Sequence, residues 1–121
     1  MSHRILIIED NEDLRNTLGD ALEMMGYDVE TAPDGPTGLQ TALAHMPEAA
    51  LVDIGLPGID GFQVAQGIRQ SLGKDMLLVA LSGYGQDSDR ERALQAGFNT
   101  HLTKPASISV LRKTLAQLDL K

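Results

Sequence analysis

Five polar residues stand directly beyond short apolar runs: Glu9 and Asp10 after Ile5-Leu6-Ile7-Ile8, Asp53 after Ala49-Ala50-Leu51-Val52, Ser82 after Leu77-Leu78-Val79-Ala80-Leu81, and Lys104 after Thr100–Thr103. Three are carboxylates. If the first and third runs lie side by side, Glu9, Asp10 and Asp53 share one shallow pocket. At about 4 Å and an effective dielectric of about 20, each like-charged pair costs roughly 4 kcal/mol, so such a pocket requires a cation or a proton. Hard oxygen ligands, few in number and open to water, favour Mg²⁺ over an all-protein Ca²⁺ cage. No His or Cys set for zinc accompanies them. Asp53 is the most telling of the three, because it terminates an apolar run where an unpaired charge is costly.

The elements that must position these groups follow from hydrophobic patterning. Apolar runs at Arg4–Ile8, Asp28–Ala32, Ala49–Val52, Met76–Leu81 and Thr100–Thr103 predict strands. The first, third and fourth lack alternation, as expected of strands buried on both faces. Between the runs, apolar residues step by three and four. Leu14, Leu18, Ala21, Leu22 and Met25 form one stripe, and Leu39, Ala42, Leu43 and Met46 a second. Val64, Ala65, Ile68 and Leu72 form a third, and Ile108, Leu111, Leu115 and Leu118 the last. Asn11, Asp34, Asp60 and Ser107 stand where side-chain oxygens cap first turns, and Gly26, Gly73 and Gly97 where left-handed residues stop helices. Asp87–Ala96 offers mainly Ala93, Leu94 and Ala96 as apolar contacts and is the least firmly held helix. Strand then helix, five times, requires crossovers, hence parallel strands with helices on both faces: a three-layer (βα)5 α/β sandwich. In such sheets ligands bind beyond the carboxyl ends of the strands, where all five polar residues fall.

Composition narrows the function classes. The 121 residues predict a single domain over 1–121. The absence of cysteine excludes disulfides and thiolate chemistry and suits a reducing compartment. The longest apolar run, Met76–Leu81, is six residues, far short of the roughly 20 that span a bilayer. A net charge of −7 and a pI near 4.7 argue against direct nucleic-acid binding. The expected location is cytoplasmic.

Glu9-Asp10 after the first strand, Asp53 within Val-Asp-Ile-Gly-Leu-Pro-Gly-Ile-Asp-Gly, Ser82 after an apolar strand and Lys104-Pro105 after the fifth resemble the receiver domain of bacterial two-component response regulators. The resemblance runs from Arg4 to about Leu118. It implies a five-stranded parallel sheet in the flavodoxin-like order 2-1-3-4-5. It also implies that Asp53 is a phosphoacceptor whose carboxylate forms an acyl phosphate. Asp10, Asp53 and the backbone carbonyl of Gly55 would ligate Mg²⁺, with Glu9 acting through a water. Lys104 would pair with one phosphoryl oxygen and Ser82 would hydrogen-bond another. No separate general base is needed, because a carboxylate is already ionised at neutral pH. The chain is thus expected to be a signalling domain that promotes its own phosphorylation and dephosphorylation, not an enzyme.

The resemblance further implies a switch in which Ser82 moves toward the phosphoryl group and the residue three before the lysine turns into the vacated space. That residue is Tyr or Phe in most receivers and His101 here. The responsive face would comprise the fourth helix, fifth strand and fifth helix. Gly55 and Tyr84, two residues after Asp53 and Ser82, would govern access of the hydrolytic water. The segments Leu81-Ser-Gly-Tyr-Gly-Gln and His101-Leu-Thr-Lys-Pro are similar to receivers attached to hybrid sensor histidine kinases. The expected donor is a phosphohistidine on a kinase or phosphotransfer domain, docking near the pocket and the first helix. The chain ends just after its last helix, as expected of a free-standing regulator or of a receiver taken from a longer protein.

Competing readings are a flavodoxin-like cofactor module, a haloacid-dehalogenase-type phosphohydrolase and a degenerate docking receiver. The first requires an anion-welcoming loop where Glu9-Asp10-Asn11-Glu12-Asp13 stands, and the second requires an Asp where Gly55 stands. The third lacks support, since no phosphorylation residue is missing. Plainer expectations cover the remainder. Ser82-Gly83 also suits a turn, Pro57-Gly58 is a turn, His3 and His45 lie on the surface, and Met24, Met25 and Met46 fill core space.

Overall fold

Strands covered on both faces must divide their side chains between two cores, and this chain does so residue by residue. A computed structural model describes residues 3–73, 75–83, 87–104 and 106–120, without the side chains at 87–89, 119 and 120. Strands β1 (Arg4–Ile8), β2 (Asp28–Ala32), β3 (Ala49–Asp53), β4 (Leu77–Ser82) and β5 (Thr100–Thr103) alternate with helices α1 (Glu12–Met24), α2 (Gly35–His45), α3 (Gly61–Leu72), α4 (Asp87–Ala96) and α5 (Ile108–Leu115). A 3₁₀ segment at Ala116–Leu120 follows α5. All strand pairs are parallel, in the order β2-β1-β3-β4-β5. This is the α/β architecture and strand order that the resemblance implies.

Leu6, Ile8, Ala50, Val52, Leu78 and Ala80 pack on one face against Ala42 of α2, Val64, Ala65 and Ile68 of α3, and Ala93 and Ala96 of α4. Their neighbours Ile5, Ile7, Ala49, Leu51, Leu77, Val79 and Leu81 pack on the other face against Leu18 and Leu22 of α1 and Leu111 and Leu115 of α5. Each fully buried Leu or Ile stabilises the fold by about 1.5–3 kcal/mol. The alternation therefore fixes the register, since a slip of one residue would exchange the two cores. The chain reverses its direction of progress across the sheet between β1 and β3, and their carboxyl ends lie side by side with Ile8 opposite Val52.

All four expected caps form. The side-chain oxygens of Asn11, Asp34, Asp60 and Ser107 accept from Leu14, Thr37, Gln63 and Val110 backbone N–H groups at 3.0, 2.7, 3.0 and 3.1 Å. Gln63 returns the contact by accepting from Asp60 N–H at 2.9 Å, a reciprocal box that fixes the start of α3. Gly26, Gly73 and Gly97 adopt positive φ at the ends of α1, α3 and α4, and Gly58 does so in the turn after Pro57.

Several apolar expectations need correction. Met24 is 87% exposed because it lies two residues from Leu22, on the side of α1 away from the sheet. Of the three methionines expected in the core, only Met25 packs against it. Met46, 57% exposed, is the C-cap of α2 in a left-handed conformation (φ 48, ψ 60) that takes it out of the helical face. Leu43, Leu94 and Ile108 are likewise exposed, Leu94 because Ala93 and Ala96 occupy the side of α4 that meets the sheet. Strands β3 and β4 each end one residue later than their apolar runs predict, so Asp53 and Ser82 are their last members.

The left-handed Met46 yields a stability prediction. A side chain at positive φ costs on the order of 1 kcal/mol, and Met46 recovers little of it through burial. Met46→Gly should raise unfolding stability by about 0.5–1 kcal/mol in urea denaturation; a loss would show that its partly exposed side chain contributes more than the backbone strain removes.

Candidate phosphoacceptor and metal site

The ends of three strands bring the expected residues to one rim. The ladder continues past β1 through Glu9 N–H to Ala32 carbonyl at 3.1 Å, past β3 through Ile54 N–H to Leu81 carbonyl at 3.0 Å, and past β5 through Lys104 N–H to Ser82 carbonyl at 2.7 Å. Each functional side chain thus leaves from backbone that the sheet holds rigidly. Glu9 is fully buried, Asp53 is 6% exposed, and Asp10 faces solvent. Carboxylate oxygens of the three lie within 4.8 Å of one another.

Lys104 reaches into this cluster. Its Nζ lies 2.6 Å from Glu9 Oε1 and 3.2 Å from Asp53 Oδ2. The other oxygen of Asp53 accepts from Gly55 N–H at 2.9 Å, and Glu9 Oε2 accepts from Asn11 N–H at 3.2 Å. Arg15 of α1 donates to the Glu9 carbonyl at 2.9 Å. Gly61, at the start of α3, packs so closely that a Cβ there would sit 2.6 Å from the Asp53 carbonyl oxygen and the Ile54 Cα. The helix therefore abuts the backbone that carries Asp53, and only glycine permits it.

The electrostatics follow from burial and crowding. Burial pushes the Glu9 carboxyl up from 4.5 to about 7; Lys104 pulls it down and Asp53 pushes it further up. Burial also acts to raise Asp53, but the hydrogen bond with Glu9, the Gly55 N–H and the Lys104 ammonium together hold it below the usual 3.8. Burial alone would lower Lys104, and the two carboxylates outweigh it and raise the group above 10.5. Of the two buried acids, Asp53 is thus the ionised one, and Glu9 is the one that holds a proton more tightly. With all three acids ionised and one lysine, the formal charge is −2, which suits a divalent cation. Three oxygen donors, one of them facing water, also match the preference of an oxygen-seeking cation that retains part of its hydration. The cluster could therefore hold a metal ion.

Ser82, 3% exposed, ends β4, and its Oγ lies 3.0 Å from His101 Nε2 on β5. A Cβ added at Gly55 would lie 3.5 Å from Asp53 Oδ1, so any larger residue there would stand beside that carboxylate oxygen. Tyr84 and Pro105 lie outside the described residues. His3 and His45 are peripheral, as expected, His45 pairing with Glu30 at 2.7 Å and His3 with Glu48. Two contributors, Arg15 and Gly61, are not marked in the sequence reading. Arg15 gives no local signal of contact with a carbonyl six residues earlier, whereas Gly61 does carry one, a glycine directly after the expected cap Asp60.

Residues 5–116 match the response regulator receiver domain family. The sensor histidine kinase RcsC of Salmonella typhimurium is 33% identical over 112 residues, 93% of this chain and 12% of that protein. The response regulator MprA of Mycobacterium ulcerans is 34% identical over 111 residues, 92% of this chain and 47% of that protein. The chain therefore spans about half or less of the length of these relatives. Among solved structures, the receiver domain of the Pseudomonas aeruginosa sensor histidine kinase PA1611, determined with a magnesium ion in its active site cleft, superposes with a TM-score of 0.89 at 31% identity, covering 97% of each chain. Vibrio cholerae CheY4 superposes with a TM-score of 0.90 at 26% identity, covering 97% of this chain and 98% of that one. Together with the acidic rim at the ends of β1 and β3, these matches show that the chain belongs to the response regulator receiver domain family of two-component systems.

Proposed function

We propose that residues 1–121 form a single receiver domain in which Asp53 accepts a phosphoryl group from a phosphohistidine donor, with Mg²⁺ as cofactor. The observation that carries this reading is the meeting of Glu9, Asp10 and Asp53 within 4.8 Å, with Lys104 Nζ 3.2 Å from Asp53. Asp10, Asp53 and the Gly55 carbonyl would hold the metal directly, and Glu9 through a water. When bound, Mg²⁺ supplies the positive charge that offsets the carboxylates and admits an anionic phosphoryl group.

The chain's own residues do the rest. Asp53, ionised at neutral pH, attacks phosphorus with one oxygen as the P–N bond of the donor breaks and its electron pair leaves with the imidazole. Lys104 stands where its ammonium offsets charge on the phosphoryl oxygens, and Ser82 offers a hydroxyl to another. Phosphorylation adds about −1.5 to −2 charges and three acceptor oxygens, enough to redirect both groups. Ser82 and His101 form the switch, and the readout face comprises α4, β5 and α5. Gly55 and Tyr84 set the access of water, hence the lifetime of the acyl phosphate. The domain promotes its own phosphorylation and dephosphorylation without being an enzyme for another substrate.

The partners are a histidine kinase or histidine phosphotransfer domain and an output protein. The kinship to receivers of sensor kinases supports an origin in a hybrid kinase. No described helix is long and apolar enough to cross a membrane, which agrees with a cytoplasmic location. The acidic chain, at −7, is unsuited to nucleic acid.

Acetyl phosphate with Mg²⁺ should add one acid-stable, alkali-labile phosphate, detected by intact mass and abolished by EDTA; no uptake would refute the reading. Asp10→Asn removes one of the three acids and should weaken Mg²⁺ binding about tenfold or more in a titration, since one lost charge at about 4 Å is worth more than 1.4 kcal/mol at intermediate dielectric. An unchanged curve would remove Asp10 from the ligand set.

A further inference from the structure

We propose that His101 is a latch on Ser82: in the unphosphorylated chain its imidazole holds the Ser82 hydroxyl, and activation must break that bond. The inference rests on the receiver reading of the site and adds a regulatory element to it. His101 Nε2 and Ser82 Oγ are 3.0 Å apart. The register places Ala80 opposite His101 and Ser82 opposite Thr103. His101 and Ser82 therefore share a sheet face, and the imidazole leans past the small Ala80 methyl toward the carboxyl end of β4. The backbone of Ser82 is pinned there by Lys104 N–H on its carbonyl at 2.7 Å. Ser82 can turn toward a phosphoryl group on Asp53 by rotating its side chain, and that rotation takes Oγ away from the ring.

The hydroxyl has a single proton. When Nε2 is unprotonated, the hydroxyl donates that proton to the ring and has none for a phosphoryl oxygen. When Nε2 carries the proton, the hydroxyl accepts and keeps its own to give. The latch thus opposes activation through geometry in both tautomers and through proton ownership in one. Phenylalanine at the same position keeps an aromatic ring there and offers the hydroxyl no partner, so it removes the Ser82 hydrogen bond, and the Ser82→Ala comparison tests that bond from the other side. A net hydrogen bond of ordinary strength corresponds to about a two- to tenfold bias.

Beryllofluoride with Mg²⁺ serves as the phosphoryl probe on the full chain. His101→Phe should bind it about two- to tenfold more tightly than wild type. In wild type, the His101 Nε2 resonance should shift on adding beryllofluoride, and in the unliganded chain Ser82→Ala should shift it in the same direction. His101→Phe binding no more tightly, or a nitrogen resonance that Ser82→Ala leaves in place, would overturn the latch while the receiver reading stands. A wild type that takes up no beryllofluoride would overturn both.

Discussion

Asp53→Asn takes up no phosphate from acetyl phosphate and Mg²⁺, while keeping its fold: this is the expected result with the largest effect on function. The substitution is nearly isosteric, so the position at the end of β3, opposite Leu81, and the close approach of Gly61 are preserved. What it removes is the anionic nucleophile. An amide oxygen at that place can still accept from Gly55 N–H, which the carboxylate does at 2.9 Å, but it has no charge with which to attack phosphorus. It also removes one charge from the acidic cluster of Glu9, Asp10 and Asp53, so Mg²⁺ affinity should fall as well. Lys104 still has the Glu9 carboxyl at 2.6 Å, and that carboxyl ionises more readily once the neighbouring Asp53, which pushes it up, is neutral, so loss of the acceptor does not strand a buried cation. Intact mass of the two proteins treated in parallel decides the matter. Equal labelling would move the acceptor elsewhere and remove the basis of the functional reading.

The fold and the site were legible in the sequence to different depths. Strand-end placement of Glu9, Asp10, Asp53 and Ser82 could be read because buried parallel strands leave uninterrupted apolar runs, and the residue that breaks each run marks the rim; Lys104 follows the more polar, half-exposed β5 and was legible from its place in the strand–helix order. The caps could be read because Asn11, Asp34, Asp60 and Ser107 each stand three residues before an amide they accept from. Met46 could not, since helical spacing places it on the stripe and says nothing of a left-handed C-cap. Nor could Arg69. Its guanidinium joins the Gly97 and Met76 carbonyls at 2.8 Å and Asn99 Oδ1 at 2.9 Å, fastening α3 to the segments before β4 and β5. Asn99 in turn accepts from Leu78 N–H at 2.8 Å, supporting the start of β4. These partners lie up to 30 residues away. No local pattern announces them, because they exist only once the sheet has formed. The Ser82–His101 bond is of the same kind: the departure from Tyr or Phe was visible in the sequence, and its partner was not.

The second large effect is on stability and comes from Glu9. In the metal-free chain burial raises its carboxyl from 4.5 to about 7, so the folded state binds that proton more tightly than the unfolded state does. A group raised in this way contributes stability that is full below pH 4.5 and is lost as pH rises through 7. The other two members do not share this window. Asp53 is held below 3.8 and its contribution is already complete, and Lys104 is raised above 10.5 and has not begun to titrate. The Glu9 contribution across the window is about 3 kcal/mol, equivalent to roughly 10 °C in Tm for a domain of this size. Wild type in EDTA should therefore lose stability between pH 4.5 and 7.5 relative to Glu9→Gln, whose amide does not titrate. Mg²⁺ should reverse the loss in wild type, because a cation favours the ionised carboxylate that burial disfavours. Unfolding curves of the two proteins that run parallel across this range would show that Glu9 is ionised throughout. A curve that separates in EDTA and closes on adding Mg²⁺ would establish that a proton and a divalent cation compete for one charge deficit at the rim of β1. In that case acidification weakens metal binding through the buried acid that Lys104 touches.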